Sequence, residues 1–381
     1  TRTEKFKGVH DEIEAVTMWL DDGKRKCFFV NADLSHFDYG FVHEIKERIK
    51  EKFSLDKDAI VISANHTHSA PIIETRKKDQ PHDPDYRKYV MDQLVYAAEQ
   101  SEKKMIEVDR VLLRKGTSEG YYGNRNALDK YGDKNIYIVE FRDKKDRNVA
   151  AIVNMSCHST VLSPYEYRLS GDLLATIRRK LTGSLGIVPM MQNGNAGDMS
   201  TRLYRKGEDF KELERVSSGI VSQINEFTDE KEVRFDEIEY KSFDYSVEYK
   251  TDKEDLKDRI RKAQKKLETA ETVDDRKWLL SEISKYQRRL DIDIMKVRFE
   301  NTIIKIGDIE FVVLPCELAS SFGRQIKQSS KYECIVWGYA NGQTTYVIEA
   351  EEFESGHGGL STTLPKGKAE EYVSLIIQNM F

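Results

Sequence analysis

Short apolar runs that end in polar or glycine-rich turns recur along the chain, and helical patterns lie between several of them. The runs, which we interpret as strands, are residues 26–31, 59–64, 136–141, 149–155, 187–192, 301–314 and 334–337. Residues 39–53 and 87–101 carry apolar side chains three or four positions apart, which predicts amphipathic helices. This alternation predicts an α/β protein with a mixed β-sheet core flanked by helices. Gly307 and Asp308 interrupt the run 301–314, which predicts a hairpin there.

Residues 251–293 have a different pattern, in which apolar residues step by three or four positions among dense Lys, Arg, Asp and Glu. The pattern predicts an antiparallel helical hairpin that turns near Thr272, Val273 and Asp274. We interpret it as a solvated insertion that packs on its own seam, with binding of a partner or a membrane surface as the alternative. Residues 1–381 are expected to form one domain that contains this insertion.

Composition narrows the classes of function. The chain has 61 Lys+Arg against 66 Asp+Glu and a pI near 6.0, without the one-sided basic field of nucleic-acid binding proteins, so no nucleic-acid partner is expected. No apolar run approaches the roughly 18 residues of a membrane helix, so no membrane span is expected. The four cysteines form no close pair and are expected to be buried free thiols. A cytoplasmic location is favoured, with secretion as the alternative if a signal segment has been removed.

Two of the apolar runs lead into histidines. Residues 59–64 precede His66 and His68, which lie two apart and face the same side if the backbone is extended. One of them can then bind a metal while the other handles protons. Residues 149–155 precede His158, at the kind of strand end where sites in α/β sheets lie.

Three further segments carry a serine, a carboxylate and a phenol. The glycine-rich segment 194–200 lets backbone N–H groups approach a ligand and ends at Ser200, a candidate nucleophile or hydrogen-bond donor. Glu317 follows an apolar strand, where a carboxylate is costly unless it is paired or metal-bound. Tyr346 closes the polar loop after Trp337. Two histidines from separate strands and a carboxylate form the ligand set of an open catalytic zinc site.

The order of these motifs resembles the catalytic domain of the neutral/alkaline ceramidase family. The motifs that carry the resemblance are His66-Thr67-His68-Ser69, His158, Ser170-Gly171-Asp172, Gly197-Asp198-Met199-Ser200, Pro315-Cys316-Glu317, Asn341 with Tyr346, and the earlier pair Asn124-Arg125.

The resemblance implies a hydrolase that cleaves a linear amide, an N-acyl amide or a ceramide-like sphingolipid, by metal-activated water. It implies one Zn²⁺ as cofactor, and these ligands: His66, His158, Glu317 and Tyr346. It also implies that His68 and Arg125 line the scissile amide, that Ser200 lies beside the metal, and that the substrate contacts are Asn124, Asp198 and Phe353. The partner is then a small-molecule or lipid amide substrate, and a homo-oligomer is left open.

Two alternatives stay open at this stage. One is a metal-dependent hydrolase of a non-lipid ester or sugar amide. The other is a non-catalytic binding or scaffold protein that docks a partner through the helical hairpin.

Several positions depart from the family pattern. Ile72 and Ile73 stand where the family usually has glycines, Thr201 stands where it has proline, and Phe353 replaces a second tyrosine. We therefore expect weak or absent ceramide hydrolysis and better turnover of smaller substrates. Only 35 residues follow Tyr346, so no C-terminal immunoglobulin-like domain is expected.

We expect no role in the metal site for the other histidines. We expect structural or surface roles for His10, His36, His43 and His82. Glycines on both sides of His357 predict a flexible loop there.

Overall fold

The computed structural model describes residues 4–74, 83–353 and 357–381. Its strands are β1 (Gly8–Val9), β2 (Ala15–Asp21), β3 (Lys26–Ala32), β4 (Ile60–Ala64), β5 (Arg110–Thr117), β6 (Gly123–Asn124), β7 (Asn135–Arg142), β8 (Asn148–Met155), β9 (Arg168–Leu169), β10 (Met190–Asn193), β11 (Met199–Ser200), β12 (Asp229–Val233), β13 (Ile238–Lys250), β14 (Ile294–Ile306), β15 (Ile309–Val313), β16 (Glu317–Leu318), β17 (Glu333–Trp337) and β18 (Tyr346–Val347). Its α-helices are α1 (Tyr39–Phe53), α2 (Pro84–Glu102), α3 (Asp172–Leu185), α4 (Phe210–Asn225), α5 (Lys253–Glu268), α6 (Val273–Leu290), α7 (Ser320–Ser329), α8 (His357–Ser361) and α9 (Lys368–Gln378), and short 3-10 helices occupy Lys57–Ala59 and Ala350–Glu352.

Three larger sheets organise the chain, and each mixes parallel and antiparallel pairs. The first has the order β10-β8-β7-β5-β12, the second β13-β14-β15-β17, and the third β2-β3-β4. The parallel pairs are β10 with β8, β15 with β17, and β3 with β4. The predicted α/β fold with a mixed sheet core is confirmed.

Helices cover the apolar faces of these sheets. One cluster of buried side chains joins α1 to the third sheet and to β15 and β17, through residues such as Phe41, Phe28 and Phe311. A second cluster packs α3 and α4 against the first sheet, and a third packs α7 and α9 against the second sheet. This burial is the main stabilising term of such a layered fold.

Capping residues determine where the two predicted helices begin and end. The predicted helix 39–53 is confirmed: Asp38 caps it by accepting from the N–H of Phe41 at 2.9 Å, and Ser54 ends it in a left-handed conformation. The predicted helix 87–101 begins earlier, at Pro84, because Asp83 caps it and proline is tolerated in a first helical turn.

The hairpin at Gly307, whose φ is +54°, is confirmed between β14 and β15. β14 begins earlier than predicted and pairs along its whole length with β13, a strand that the sequence analysis missed. The predicted strand 187–192 is instead Met190–Asn193, because Pro189 has no N–H for the ladder.

The helical hairpin extends from the end of the β13–β14 ladder, where the N–H of Thr251 donates to the carbonyl of Asp293 at 2.9 Å. α5 and α6 pack on an apolar seam that includes Ala263, Leu279 and Ile283, which confirms the predicted insertion. The predicted turn was placed too late: Thr272 already caps α6, accepting from the N–H of Asp275 at 3.0 Å.

Four smaller predictions have mixed outcomes. The four cysteines are buried and free, as predicted. The loop predicted around His357 is wrong, since residues His357–Ser361 form α8. Within the described ranges, no helix is both long and apolar enough to cross a membrane. That residues 1–381 form one domain stays a prediction.

Candidate metal centre

Four strand ends bring the predicted ligands into one region. His66 follows β4 and His158 follows β8, while Glu317 and Tyr346 begin β16 and β18. β16 and β18 pair in parallel, with Glu317 opposite Tyr346. The sheet ends therefore place all four side chains near one another.

Hydrogen bonds hold the backbone turn at His66. His66 has a φ of +68°, which is uncommon for a residue with a Cβ atom. Its N–H donates to the carbonyl of Leu34 at 3.0 Å, and the side chain of the preceding Asn65 donates to Asp33 at 2.6 Å. The turn is thus fixed by contacts with the chain that follows β3.

Three buried ligand atoms converge. Nε2 of His158 lies 3.0 Å from Oε2 of Glu317, and Nε2 of His66 lies 3.6 Å from the same oxygen. His66, His158 and Glu317 are 4%, 3% and 5% exposed, and their ligand atoms all lie within 4.8 Å of one another. The hydroxyl of Tyr346 lies 3.3 Å from Nε2 of His158.

The hydrogen-bond partner of Nδ1 determines the tautomer of His66 and of His158. Nδ1 of His66 lies 2.7 Å from the carbonyl of Ser35, and Nδ1 of His158 lies 2.8 Å from the carbonyl of Ala196. A carbonyl only accepts, so each Nδ1 carries the proton and donates it. Each Nε2 then points a lone pair toward Glu317, and hydrogen bonds of this kind from Nδ1 to a carbonyl orient histidine ligands in metal sites.

The charges in this group suit a bound cation. Burial lowers the pKa of His66 to about 3, and burial together with Arg125 lowers the pKa of His158. Burial opposes ionisation of Glu317, but its pKa lies below the ordinary value, and the hydrogen bond from Tyr346 favours the charged form. Two neutral imidazoles and a carboxylate therefore direct lone pairs at one point, an arrangement that a cation there would stabilise. These are ligand types that zinc prefers, so the residues present fit that metal.

Two residues that the sequence analysis missed complete the surroundings of Glu317. The hydroxyl of Tyr339 donates to Oε2 of Glu317 at 3.4 Å, and Nε2 of Gln343 donates to Oε1. The ring of Tyr339 also packs on His66, with centroids 4.3 Å apart. The only signal in the sequence was their place in the polar loop between β17 and Tyr346.

Arg125 lies beside the converging ligands. Its Nη2 donates to the carbonyl of Gly197 at 2.5 Å, and its Nη1 lies 3.3 Å from Nε2 of His158. Its guanidinium lies 5.4 Å from the ring centroid of Tyr346. Burial opposes the charged form, but Tyr346 and Glu317 raise the pKa of Arg125 above its ordinary value. Arg125 therefore contributes a fixed positive charge at this site.

His68 and Ser200 also lie near the ligands. Nε2 of His68 is 3.3 Å from Nε2 of His66, and His68 is the more exposed of the two. Ser200 is buried and its Oγ accepts from the N–H of Arg202 at 3.1 Å. It follows Met199, whose carbonyl accepts from the N–H of His158 at 3.0 Å.

The three residues implied as substrate contacts lie in two places. Asn124 donates to Asp198 at 2.9 Å, and Asp198 also accepts from the N–H of Ser320 at 2.8 Å, so these side chains brace the loop before Ser200. Phe353 lies beside the helical hairpin instead, with its ring centroid 5.4 Å from the guanidinium of Arg259. The substrate roles of all three stay predictions.

Ile72 and Ile73, which stand at glycine positions of the family pattern, differ in burial. Ile73 is buried in the cluster around the third sheet, whereas Ile72 is half-buried. Part of the Ile72 side chain is therefore accessible, and that of Ile73 is not.

Three other histidines pair with carboxylates. The distances are 2.8 Å for His10 to Asp11, 3.0 Å for His36 to Glu74 and 2.8 Å for His43 to Glu300. His82 lies outside the described residues.

The whole fold is similar to that of solved ceramidases. A neutral ceramidase from Pseudomonas aeruginosa aligns with a TM-score of 0.74 and 17% identity, over 97% of this chain and 68% of that chain. A ceramidase complexed with C2 aligns with a TM-score of 0.72 and 15% identity, over 98% of this chain and 70% of that chain. No protein-family model and no curated protein matches the sequence. The predicted ceramidase-like fold is confirmed, and identities this low show the fold alone.

Proposed function

We propose that the protein is a zinc-dependent hydrolase that cleaves a linear amide, most simply an N-acyl amide. The observation that carries the proposal is the convergence of Nε2 of His66, Nε2 of His158 and Oε2 of Glu317, with both Nδ1 atoms bonded to backbone carbonyls. The ceramidase-like fold supports the same reaction class by analogy.

His66, His158, Glu317 and Tyr346 would hold the metal. When bound, zinc acts as a Lewis acid and lowers the pKa of a water ligand to about 7. Tyr339 and Gln343 keep the carboxylate of Glu317 oriented by donating to its two oxygens.

Arg125, His68 and Ser200 each have a separate role in the proposed reaction. Arg125 presents its charge where the carbonyl oxygen of an amide becomes negative, and such fixed charges stabilise a developing oxyanion. His68 is half-exposed and moves a proton to the departing amine. Ser200 serves as a hydrogen-bond donor to the substrate and not as the nucleophile.

The substrate we propose is a small N-acyl amide. Phe353 lacks the hydroxyl of the family's second tyrosine, and Ile72 is bulkier than the glycine that the family usually has at this position. Each methylene that a substrate buries in an apolar cleft contributes about 0.8 kcal/mol to the free energy of binding. An enzyme for long chains would therefore show a steep rise of kcat/KM with acyl length.

The test is a series of acyl amides from acetyl to palmitoyl, assayed with zinc present and with zinc chelated. We expect hydrolysis that chelation abolishes and zinc restores, with flat or falling rates toward long chains. Activity that survives chelation would contradict metal dependence. A steep rise toward palmitoyl, with natural ceramide as the best substrate, would contradict the small-substrate assignment. His43→Ala, which changes an exposed histidine, is the control variant.

A further inference from the structure

A cavity of about 160 Å³ lies between the helical hairpin and the chain that follows Tyr346. It is distinct from the metal centre, because none of the proposed zinc ligands lines it. Its lining includes the polar or charged residues Tyr249, Asp252, Asp255, Arg259, Tyr286 and Arg289. One water needs only about 15 Å³ of such space, so the cavity has room for a carboxylate or phosphate group.

Both lining carboxylates are already compensated. Asp255 accepts from Nε of Arg259 at 2.6 Å. Asp252 caps α5 by accepting from the N–H groups of Glu254 and Asp255 at 3.1 and 2.9 Å. A helix N-terminus also favours a negative charge at this position. Neither carboxylate is thus available to neutralise a further cation.

Arg289 is the cation that lacks a counter-charge. Its Nη1 and Nη2 donate to the carbonyls of Thr362 and Ser361 at 3.2 and 3.3 Å, and both acceptors are neutral. In the part of the chain that the structure describes, no carboxylate oxygen lies within 4.0 Å of this guanidinium. The buried Glu282 on the same helix pairs with Lys285 instead, at 2.8 Å. Burial lowers the pKa of Arg289 below its ordinary value.

Aromatic rings hold both arginines of the cavity. The guanidinium of Arg289 lies 5.7 Å from the ring centroid of Tyr286, and that of Arg259 lies 5.4 Å from the ring centroid of Phe353. Ring packing of this kind restrains a guanidinium while its N–H edge stays available for an anion.

We propose that this cavity binds a small anionic group, a carboxylate or a phosphate, with Arg289 as its main counter-charge. The anion is either free in solution or the charged end of the substrate. The second source rests on the proposed function: Thr362 lines the cavity and donates from Oγ1 to the backbone carbonyl of Tyr346 at 2.7 Å, so one residue connects the cavity wall to a proposed metal ligand.

Calorimetric titration with inorganic phosphate tests the site without any catalytic assay. We expect saturable binding by the wild-type protein, at least tenfold weaker binding by Arg289→Gln, and binding within about tenfold of wild type for Arg289→Lys, which keeps the charge. Arg288→Gln is the matched control, since Arg288 donates to Ser284 on α6, and its affinity should match that of the wild type. Equal affinity for phosphate in the wild type and in Arg289→Gln would overturn the proposal. A wild-type protein that neither binds phosphate nor prefers carboxylated substrates would also overturn it.

Two further measurements separate the anion sources and the metal centre. Binding of phosphate should persist in His158→Ala, and its loss there would place the anion on the metal instead. If the anion is part of the substrate, acyl amides that carry a carboxylate should exceed neutral ones at least tenfold in kcat/KM, and Arg289→Gln should remove this preference. Should Arg289→Gln fail to fold, wild-type crystals soaked in phosphate still decide: density beside Arg289 supports the site, and water alone there contradicts it.

Discussion

Nε2 of His158 and Oε2 of Glu317 lie 3.0 Å apart, although the two residues follow strands of different sheets. The sheets meet at this point: Asn154 of β8 donates to the carbonyl of Val336 in β17 at 3.0 Å, and the N–H of Gly338 donates to the carbonyl of Asn193 at 3.0 Å. The geometry of the site therefore depends on how the first and second sheets pack.

A buried ion pair stabilises the turn that carries His66. Arg178 donates from Nη1 and Nη2 to the two oxygens of Asp33, each at 2.7 Å, and these residues are 1% and 0% exposed. Arg178→Met leaves the charge of Asp33 buried, so we expect a loss of about 3–5 kcal/mol in the free energy of unfolding, measured with urea. Arg179→Met is the control, because its pair with Asp11 is partly exposed and should contribute at most about 1 kcal/mol. Similar losses in both variants would contradict this account.

Ser200 and His68 are expected to act without holding the metal. Ser200→Ala should keep zinc and lose about 10²–10³-fold in rate, as loss of one positioned donor does. His68→Ala should also keep zinc while losing activity. Metal analysis and steady-state kinetics of the purified variants check both statements. Zinc loss in His68→Ala would assign the ligand role to His68 instead of His66, and an acyl-serine seen by intact mass would make Ser200 the nucleophile.

Tyr339→Phe separates the hydroxyl of Tyr339 from its ring. The ring should continue to pack on His66, but the donation to Glu317 is lost. Loss of such a hydrogen bond to a ligand side chain weakens metal affinity by about 10–100-fold. Competition with a zinc chelator measures this affinity, and Tyr332→Phe serves as the control. Unchanged affinity would show that the hydroxyl does not support the metal centre.

Glu349 gives the protein a defined dependence of stability on pH. Burial raises its pKa from 4.5 to about 7, with Asp198, Glu352 and Glu370 adding to the increase. The folded state therefore binds more protons than the unfolded chain between these values, and stability from this group falls as pH rises from 4.5 to about 7.

Glu349→Gln removes that titration. We expect little change at pH 4 and a gain of about 1–2 kcal/mol at pH 8, after discounting for partial exposure of the side chain. Urea unfolding at both pH values measures the difference. Glu351→Gln, at an exposed neighbour, is the control and should change neither value. An equal effect of Glu349→Gln at both pH values would contradict the raised pKa.

The sequence predicted the site residues at the strand ends better than it predicted the side chains that contact them. His66, His158 and Glu317 each follow an apolar run, so their convergence followed from the rule that strand ends in α/β folds meet. Tyr339 and Gln343 were missed because their contacts with Glu317 depend on the path of an irregular loop. Phe353 lies against α5, a contact that no local pattern reveals, and its substrate role stays a prediction.

Strand β13 was missed for a different reason. Phe243, Tyr245, Val247 and Tyr249 alternate with polar residues, but dense charge in the flanking segments hid this period of two. Pairing with β14 overrides those charges, because one face of the ribbon packs against the cluster around α9.

The zinc content of purified wild-type protein, His158→Ala and Glu317→Gln tests the central claim most directly. The account predicts about one zinc per chain for the wild type and for the control His43→Ala, and affinity reduced by orders of magnitude in the other two variants, since each lacks one of the four ligands. Full zinc occupancy in both ligand variants, or no zinc in the wild type, would contradict it.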